Sequence, residues 1–218
     1  GHAAEQLALA ADHCTRAAEG AWDGAWYRRG YYDDGRPLGS EACGECRIDA
    51  IAQAFAALDT HADPGRVHTA LTSAVEHLFD REHNVVRLFD PPITRRTPET
   101  GYVRSYGAGL RENGGQYTHG ALWLAMALLR TGRTAEGAEI LHAVLPAAHD
   151  PARYEGEPYV LAADIAGGDN AGVAGWTWYT GAAGWYLRIA AEDLLGLHLR
   201  GGVLYPEPHL PAGWPECT

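Results

Sequence analysis

Hydrophobic residues recur at helical spacing in six segments of the chain, and this pattern predicts six α-helices. The clearest segment runs from about Arg66 to Phe79, with its apolar side chains on one face. The segment from His119 to Arg130 is apolar nearly all round, which predicts a deeply buried helix. The other four helices are predicted at about residues 4–19, from residue 48 onward, at 135–145 and at 181–195.

Alternation of the kind that strands show occurs only near the end of the chain, in HLRGGVLYPEPHLP, residues 198–211. We therefore predict an all-α fold class, followed by the start of a small β region.

The connections between the predicted helices alternate in length, and the long ones are at residues 20–47, 80–117 and 146–180. Long loops in compact domains are usually functional. In an antiparallel array of helices these three loops emerge on one face, where helices two, four and six begin. The free N–H groups and positive dipole ends of three helix starts would then favour an anionic ligand.

The sequence RENGGQYTHGALW, residues 111–123, opens the fourth predicted helix. A flexible Gly114-Gly115 pair lies between Glu112 and His119, and His119 falls in the first helical turn. We expect the two glycines to let the backbone approach a polar ligand.

Composition narrows the class of protein. The chain has 218 residues, of which 46% are hydrophobic, enough for a globular domain or part of a larger one. A net charge of −11 argues against a nucleic-acid surface. No apolar run reaches the roughly 18 residues of a membrane span, so this segment is expected to make no membrane contact. Seven Trp and eleven Tyr against three Phe suit stacking on sugar rings.

The four cysteines do not have the spacing of a zinc site. Cys43 and Cys46 form a single CxxC, and no second pair accompanies it. We interpret them as incidental thiols and predict no metal.

Four ordered blocks of the sequence closely resemble the inverting glycoside phosphorylases of glycoside hydrolase family ninety-four. They are YDDGRPLGS…ECRIDAIAQAF, GYVRSYGAGLRENGGQYTHGALW, EPYVLAADI and GWTWYTGAAGWYL. They are most similar to the branch of cyclic β-1,2-glucan synthases, in their C-terminal part, and β-1,2-oligoglucan phosphorylases. The resemblance implies an (α/α)6 toroid of twelve helices. Residues 1–197 would form its C-terminal half, and residues 198–218 would begin a C-terminal β segment.

The resemblance also implies an activity. Family members cleave a β-glucosidic bond with inorganic phosphate and release α-glucose 1-phosphate, and the reverse reaction extends a glucan. The matching positions assign phosphate binding to His119, Thr180 and Gly181, and hydroxyls of the acceptor-side glucose to Glu112. Phosphate is the co-substrate, and no other cofactor is implied. Since phosphate is already an anionic nucleophile, only one carboxylic acid is needed, to protonate the leaving oxygen.

Three further residues are candidate sugar contacts, each with a structural alternative. Asp49 falls in the first turn of helix two, where the helix dipole alone favours an acid. Trp178 and Tyr159 lie in aromatic-rich loops, and they either stack on a sugar or pack between helices. Thr180 also suits an N-cap, which is compatible with a phosphate contact.

The chain departs from the family pattern in two main ways, the absence of one motif and a count of six helices where the toroid has twelve, and in a smaller way at Ala163. The general-acid aspartate of the family lies in a WND-type motif, and this chain has none, so no catalytic residue is assigned to it. We therefore expect the chain alone to lack phosphorolytic activity. Ala163 stands where cellobiose-type members carry Gln, which favours the β-1,2 branch.

Other interpretations stay open. The first is a non-catalytic half-barrel that binds carbohydrate or phosphate. Another is a zinc cyclase or sugar epimerase toroid, which the histidine and cysteine spacing argues against. The expected partners are a β-glucan oligosaccharide, phosphate, and a second copy or the missing half-barrel to cover apolar helix flanks. A cytoplasmic location is expected, including as the C-terminal part of a membrane-anchored glucan synthase.

Overall fold

The computed structural model describes residues 2–95, 100–178 and 180–214 of the chain. The helices in these residues are α1 His2–Ala21, α2 Ala50–Leu58, α3 Pro64–Leu78, α4 Thr118–Arg130, α5 Thr134–Ala143, α6 Pro151–Tyr154 and α7 Thr180–Arg188. A π-helical turn, Ile189–Leu194, continues α7. The six predicted helices are all present to within a few residues, and the short α6 was not predicted.

The strands in the same residues are β1 Gly30–Tyr31, β2 Pro37–Leu38, β3 Ile48–Asp49, β4 Phe79–Asp80, β5 Val85–Val86, β6 Phe89–Asp90, β7 Gln116–Tyr117, β8 Asp164–Ile165, β9 Ala174–Gly175, β10 Leu197–Arg200 and β11 Val203–Pro206. They pair antiparallel as β1-β2, β3-β6, β4-β5, β7-β8-β9 and β10-β11. The all-α prediction is therefore too narrow, because the chain is helix-rich with small sheets. Strands of two residues are too short to show an alternating pattern.

Helix α4 lies at the centre of the packing and contacts α2, α5 and α7. Most of its side chains are buried, including Leu122, Leu124, Leu128 and Leu129. This burial confirms what its uniformly apolar sequence predicted.

Aspartate side chains cap the starts of three described helices, α2, α3 and α6. Asp63 caps α3 through its side chain, which accepts from the Arg66 amide, and Pro64 follows at the first helical position. Asp49 caps α2 in the same way. Gln53, in α2, is fully buried and bonds the backbone N–H and C=O of Tyr27, so its role is structural.

Several apolar side chains remain exposed: Leu7 and Leu9 on α1, Phe55 on α2, Leu187 on α7, and Leu199 and Leu204 in the β10-β11 hairpin. They are the kind of flank that an incomplete toroid would leave uncovered. The toroid itself and the division at residue 197 stay predictions.

Among the described residues, no helix combines the length and apolar character needed to cross a membrane. The same residues contain no group of three His, Cys, Asp or Glu side chains arranged to hold a metal ion.

Candidate functional site

Short strands bring the starts of three helices together. Strand β3 leads directly into α2 and pairs with β6, while β7 leads into α4 and pairs with β8. Strand β9, which precedes α7, completes the β7-β8-β9 sheet. The Cys46 and Arg47 amides, at the end of the first long loop, donate to the Pro91 and Asp90 carbonyls of the second. The three long loops are thus joined to one another beside the helix N-termini, as the sequence predicted.

The Gly114-Gly115 pair has a different role from the one expected. Gly114 has a φ of +81°, and a β-carbon there would lie 2.7 Å from the ring of Pro92. A β-carbon at Gly115 would lie 2.7 Å from the Gly109 carbonyl oxygen. The glycines therefore admit neighbouring protein backbone and side chain, not a ligand.

Asn113 holds this loop in place. Its amide accepts from the Ile93 N–H at 2.7 Å and donates to the carbonyls of Ile93 and Tyr106. The side chain is completely buried. This bonding fixes the position of the neighbouring Glu112.

The imidazole of His119 lies against the start of α7. A β-carbon at Gly181 would be 3.0 Å from Nε2 of His119. The imidazole stacks on Tyr117 at 5.6 Å between ring centroids and lies 5.8 Å from Trp123. Its Nδ1 is buried and has no hydrogen-bond partner among the described residues. Burial lowers the pKa of His119, so the neutral imidazole is favoured.

The structure thus brings His119 and Gly181 together. The side chain of Thr180 lies outside the part of the chain that the structure describes, and only its place at the first position of α7 is known. Its predicted phosphate contact stays a prediction.

A cavity of about 500 Å³ opens beside the starts of α2 and α4. Its lining combines aromatic and polar side chains, among them Asp49, Tyr102, Glu112, Tyr117 and Trp123. The indole N–H of Trp123 is buried without a hydrogen-bond acceptor in the described residues. A mixed lining with unused hydrogen-bonding atoms is typical of a site for a polar ligand with apolar faces.

Glu112 is only loosely bonded within the protein. Its Oε1 accepts from the Tyr102 hydroxyl at 3.4 Å, and its Oε2 lies 3.8 Å from Nε of Arg111. Oε2 is buried and accepts no hydrogen bond from any described group. Glu112 therefore retains capacity to bind a ligand.

The Asp49 carboxylate has more hydrogen-bond partners within the protein than the Glu112 carboxylate has. Its Oδ1 accepts from the amides of Ile51 and Ala52, and its Oδ2 accepts from Arg29 at 2.7 Å. The residue lines the cavity, but its oxygens already serve α2 and the ion pair. Its predicted sugar contact stays a prediction.

Trp178 and Tyr159 form an exposed pair outside the lining of this cavity. Their rings meet edge to face at 6.1 Å, and the Trp178 indole donates to Glu157 at 2.8 Å. Tyr159 is 76% exposed and Trp178 is 64% exposed. Both present aromatic surface to solvent, and the role in sugar stacking is untested.

Sequence reasoning missed two residues next to Glu112. Arg111 is stacked between the rings of Tyr106 and Trp176, at 5.1 and 4.4 Å from their centroids. Asp164 is buried, and its charge interacts with Arg111 and Glu112. Burial raises the pKa of Asp164, with Arg111 opposing the effect and Glu112 adding to it. The signal available was an acid inside the otherwise apolar run VLAADIA.

The CxxC cysteines are free thiols. Cys43 is partly exposed and bonds the Pro37 carbonyl, whereas burial raises the pKa of the Cys46 thiol far above its usual range. A thiol that resists ionisation is a poor nucleophile and metal ligand. This is consistent with an incidental role.

Comparison with known proteins gives relatives along the whole chain. Cyclic beta-(1,2)-glucan synthase NdvB of Rhizobium meliloti is 46% identical over 90% of this chain and 7% of its own length. Solabiose phosphorylase of Paenibacillus borealis is 31% identical over 100% of this chain and 29% of its own. The 3-O-beta-D-glucopyranosyl-beta-D-glucuronide phosphorylase of the same organism is 31% identical over 99% and 28%. The chain thus spans less than a third of the length of these relatives.

The family comparison agrees with these relatives. Residues 2–196 match the description "Glycosyl hydrolase 94 superfamily, catalytic domain". With most of its length matched in this way, the chain belongs to the glycosyl hydrolase 94 superfamily.

Proposed function

We propose that this chain is the phosphate- and sugar-binding part of an inverting β-glucan phosphorylase that produces α-glucose 1-phosphate. The observation that carries the proposal is the contact of the His119 imidazole with Gly181 at the start of α7, beside the cavity that Glu112 lines. It joins an imidazole, a helix N-terminus and a ligand-sized cavity, which are the parts needed to hold phosphate next to a sugar.

The phosphate would lie at the N-terminus of α7. The Gly181 amide is in the first turn of this nine-residue helix, where N–H groups are free and the dipole is positive. A neutral His119 donates one ring N–H, and Thr180 is the third proposed ligand. Phosphate held in this way attacks the anomeric carbon directly, while the proton for the leaving oxygen comes from an acid outside these residues.

The sugar would occupy the cavity, with Glu112 accepting hydrogen bonds from hydroxyls of the acceptor-side glucose. The relatives support a glycosidic substrate: one is a cyclic β-(1,2)-glucan synthase, and the others are phosphorylases of different disaccharides. The first is also the most identical of the three, which supports a β-1,2-linked glucan as the substrate here. The two phosphorylases are named for different substrates, and we expect the acceptor side to be where such specificity arises.

Calorimetric titration of phosphate into the chain, with a parallel assay for glucose 1-phosphate, tests the proposal. His119→Gln should weaken phosphate binding by about 10- to 150-fold, since a hydrogen bond to a charged group contributes about 1.5–3 kcal/mol. His142→Gln is the matched control, because His142 is exposed on α5. Equal phosphate affinity in wild type and His119→Gln would refute the proposed phosphate site. Release of glucose 1-phosphate by the chain alone would refute the expectation that its acid lies elsewhere.

A further inference from the structure

Asp164 carries a carboxyl group that the fold buries without fully bonding it. The residue is 6% exposed, and its Oδ1 has no hydrogen-bond partner among the described residues. It lies on β8, the central strand of the β7-β8-β9 sheet, opposite Tyr117 on one side and Gly175 on the other. Directly opposed residues of an antiparallel pair point to the same face of the sheet. Asp164 therefore shares a face with Tyr117, whose side chain lines the cavity.

Gly175 makes room for this carboxyl group. A β-carbon at position 175 would overlap Oδ2 of Asp164. Any side chain at this position would therefore displace the carboxyl group from its place on the sheet.

The Arg111 guanidinium is paired with Glu112 and lies within electrostatic range of Asp164. Arg111 and Glu112 both interact electrostatically with Asp164, and Arg111 is held between two aromatic rings. Each of the three has a buried atom without a hydrogen bond in the described part of the chain: Nε of Arg111, Oε2 of Glu112 and Oδ1 of Asp164. Buried polar atoms are normally bonded, so three unused atoms in one cluster indicate a ligand that supplies both donors and acceptors. Sugar hydroxyl groups do both.

We propose that Asp164 determines the specificity of the sugar site: with Glu112 it binds hydroxyl groups of a neutral sugar and excludes a sugar that carries a carboxylate. This inference rests on the proposed function. An acidic sugar would bring a third carboxyl group to a cluster with one cation, and like charges at close range raise the free energy of the complex.

The test compares two ligands that differ only at carbon 6, methyl β-glucoside and methyl β-glucuronide. Their dissociation constants are measured by saturation-transfer NMR on the wild-type chain, on Asp164→Asn and on Gly175→Ala. The wild type should bind the glucuronide roughly tenfold more weakly than the glucoside, as a like-charge contact predicts. Both variants should reduce this ratio, Asp164→Asn by removing the charge and Gly175→Ala by displacing it. Asp169→Asn is the control, because Asp169 is an exposed acid a few residues away.

The outcomes separate the two proposals. If the wild type binds the glucoside and both variants keep its glucoside-to-glucuronide ratio, Asp164 is structural and this inference is wrong while the proposed function stands. If the wild type binds neither glycoside, the proposed sugar site fails and the inference fails with it. If Asp164→Asn does not fold by circular dichroism, Gly175→Ala decides alone.

Discussion

His119 and Gly181 are in contact across two helix starts, with the imidazole filling the space where a side chain at position 181 would begin. The contact fixes the first turn of α4 relative to the first turn of α7. Two helix N-termini that belong to distant parts of the sequence thereby face the same volume.

Gly181→Ala should weaken phosphate binding, because the added methyl group would displace the imidazole. Gly184→Ala is the matched control in the same helix, since nothing lies within 4 Å of a β-carbon there. In a helix, alanine is favoured over glycine by about 1 kcal/mol, so Gly184→Ala should be more stable than wild type. Gly181→Ala should be stabilised less than Gly184→Ala, because the His119 imidazole must move to admit the methyl group. Calorimetry and thermal denaturation measure the two effects, and equal phosphate affinities would contradict the contact.

Anion binding should depend on pH through His119. Burial lowers the pKa of the free imidazole, and a bound anion favours its protonated form, so binding should raise this pKa. Sulfate affinity should therefore increase as pH falls from about 8 to about 5, and the His119 ring resonances should titrate at higher pH when sulfate is present. Sulfate is chosen because it stays a dianion over this range. A pH dependence that persists in His119→Gln would assign the effect to another group.

Asp164→Asn should stabilise the fold at neutral pH. The raised pKa of Asp164 means that its ionised form is disfavoured in the folded state. The resulting loss of stability develops as pH rises above about 3.9, the pKa of an aspartate in the unfolded chain. It is absent below that pH. The Tm of the variant should therefore exceed that of wild type at pH 8, and the difference should shrink toward pH 4. Asp169→Asn should show no such trend.

Asn113→Ala should destabilise the protein by about 2–4 kcal/mol, because it leaves buried backbone groups of Ile93 and Tyr106 without partners. Urea denaturation measures the change. Asn170→Ala, at an exposed position, should stay close to wild type. If Asn113→Ala were as stable as wild type, the loop around Glu112 would not depend on this amide.

The chain is expected to self-associate or to bind a companion segment through its exposed apolar side chains. Leu187, on α7, is 71% exposed. Leu187→Asn should shift sedimentation toward the monomer, whereas Leu7→Asn tests the separate surface on α1. A wild-type profile that is strictly monomeric and binds no apolar dye would refute the expectation.

Helices with a long apolar face could be located from sequence, because their buried apolar residues recur at helical spacing. Helix α3 is the clearest case, since Asp63 and Pro64 mark its start and Val67, Leu71 and Leu78 its buried side. The two-residue strands could not be located, because their pairing depends on distant segments such as β3 with β6.

The candidate site also combines features that the sequence predicts with features that it does not. The convergence of three helix starts followed from loop lengths, and His119 with Gly181 is its outcome. The environment of Asp164 was not predictable, since it depends on the absence of a side chain at Gly175 and on a strand pairing with Tyr117. The ion pair of Asp49 with Arg29 was not predictable either, because the two residues lie in separate parts of the sequence.

The Gly114-Gly115 pair touches Pro92, the Gly109 carbonyl and the Arg111 carbonyl, and it leaves no space for even a methyl group. Two stretches of chain, one around Pro92 and the other residues 109–115, therefore have matched shapes at this point. A Glu112 loop taken from a relative would therefore fit this chain only if the segment around Pro92 were exchanged together with it.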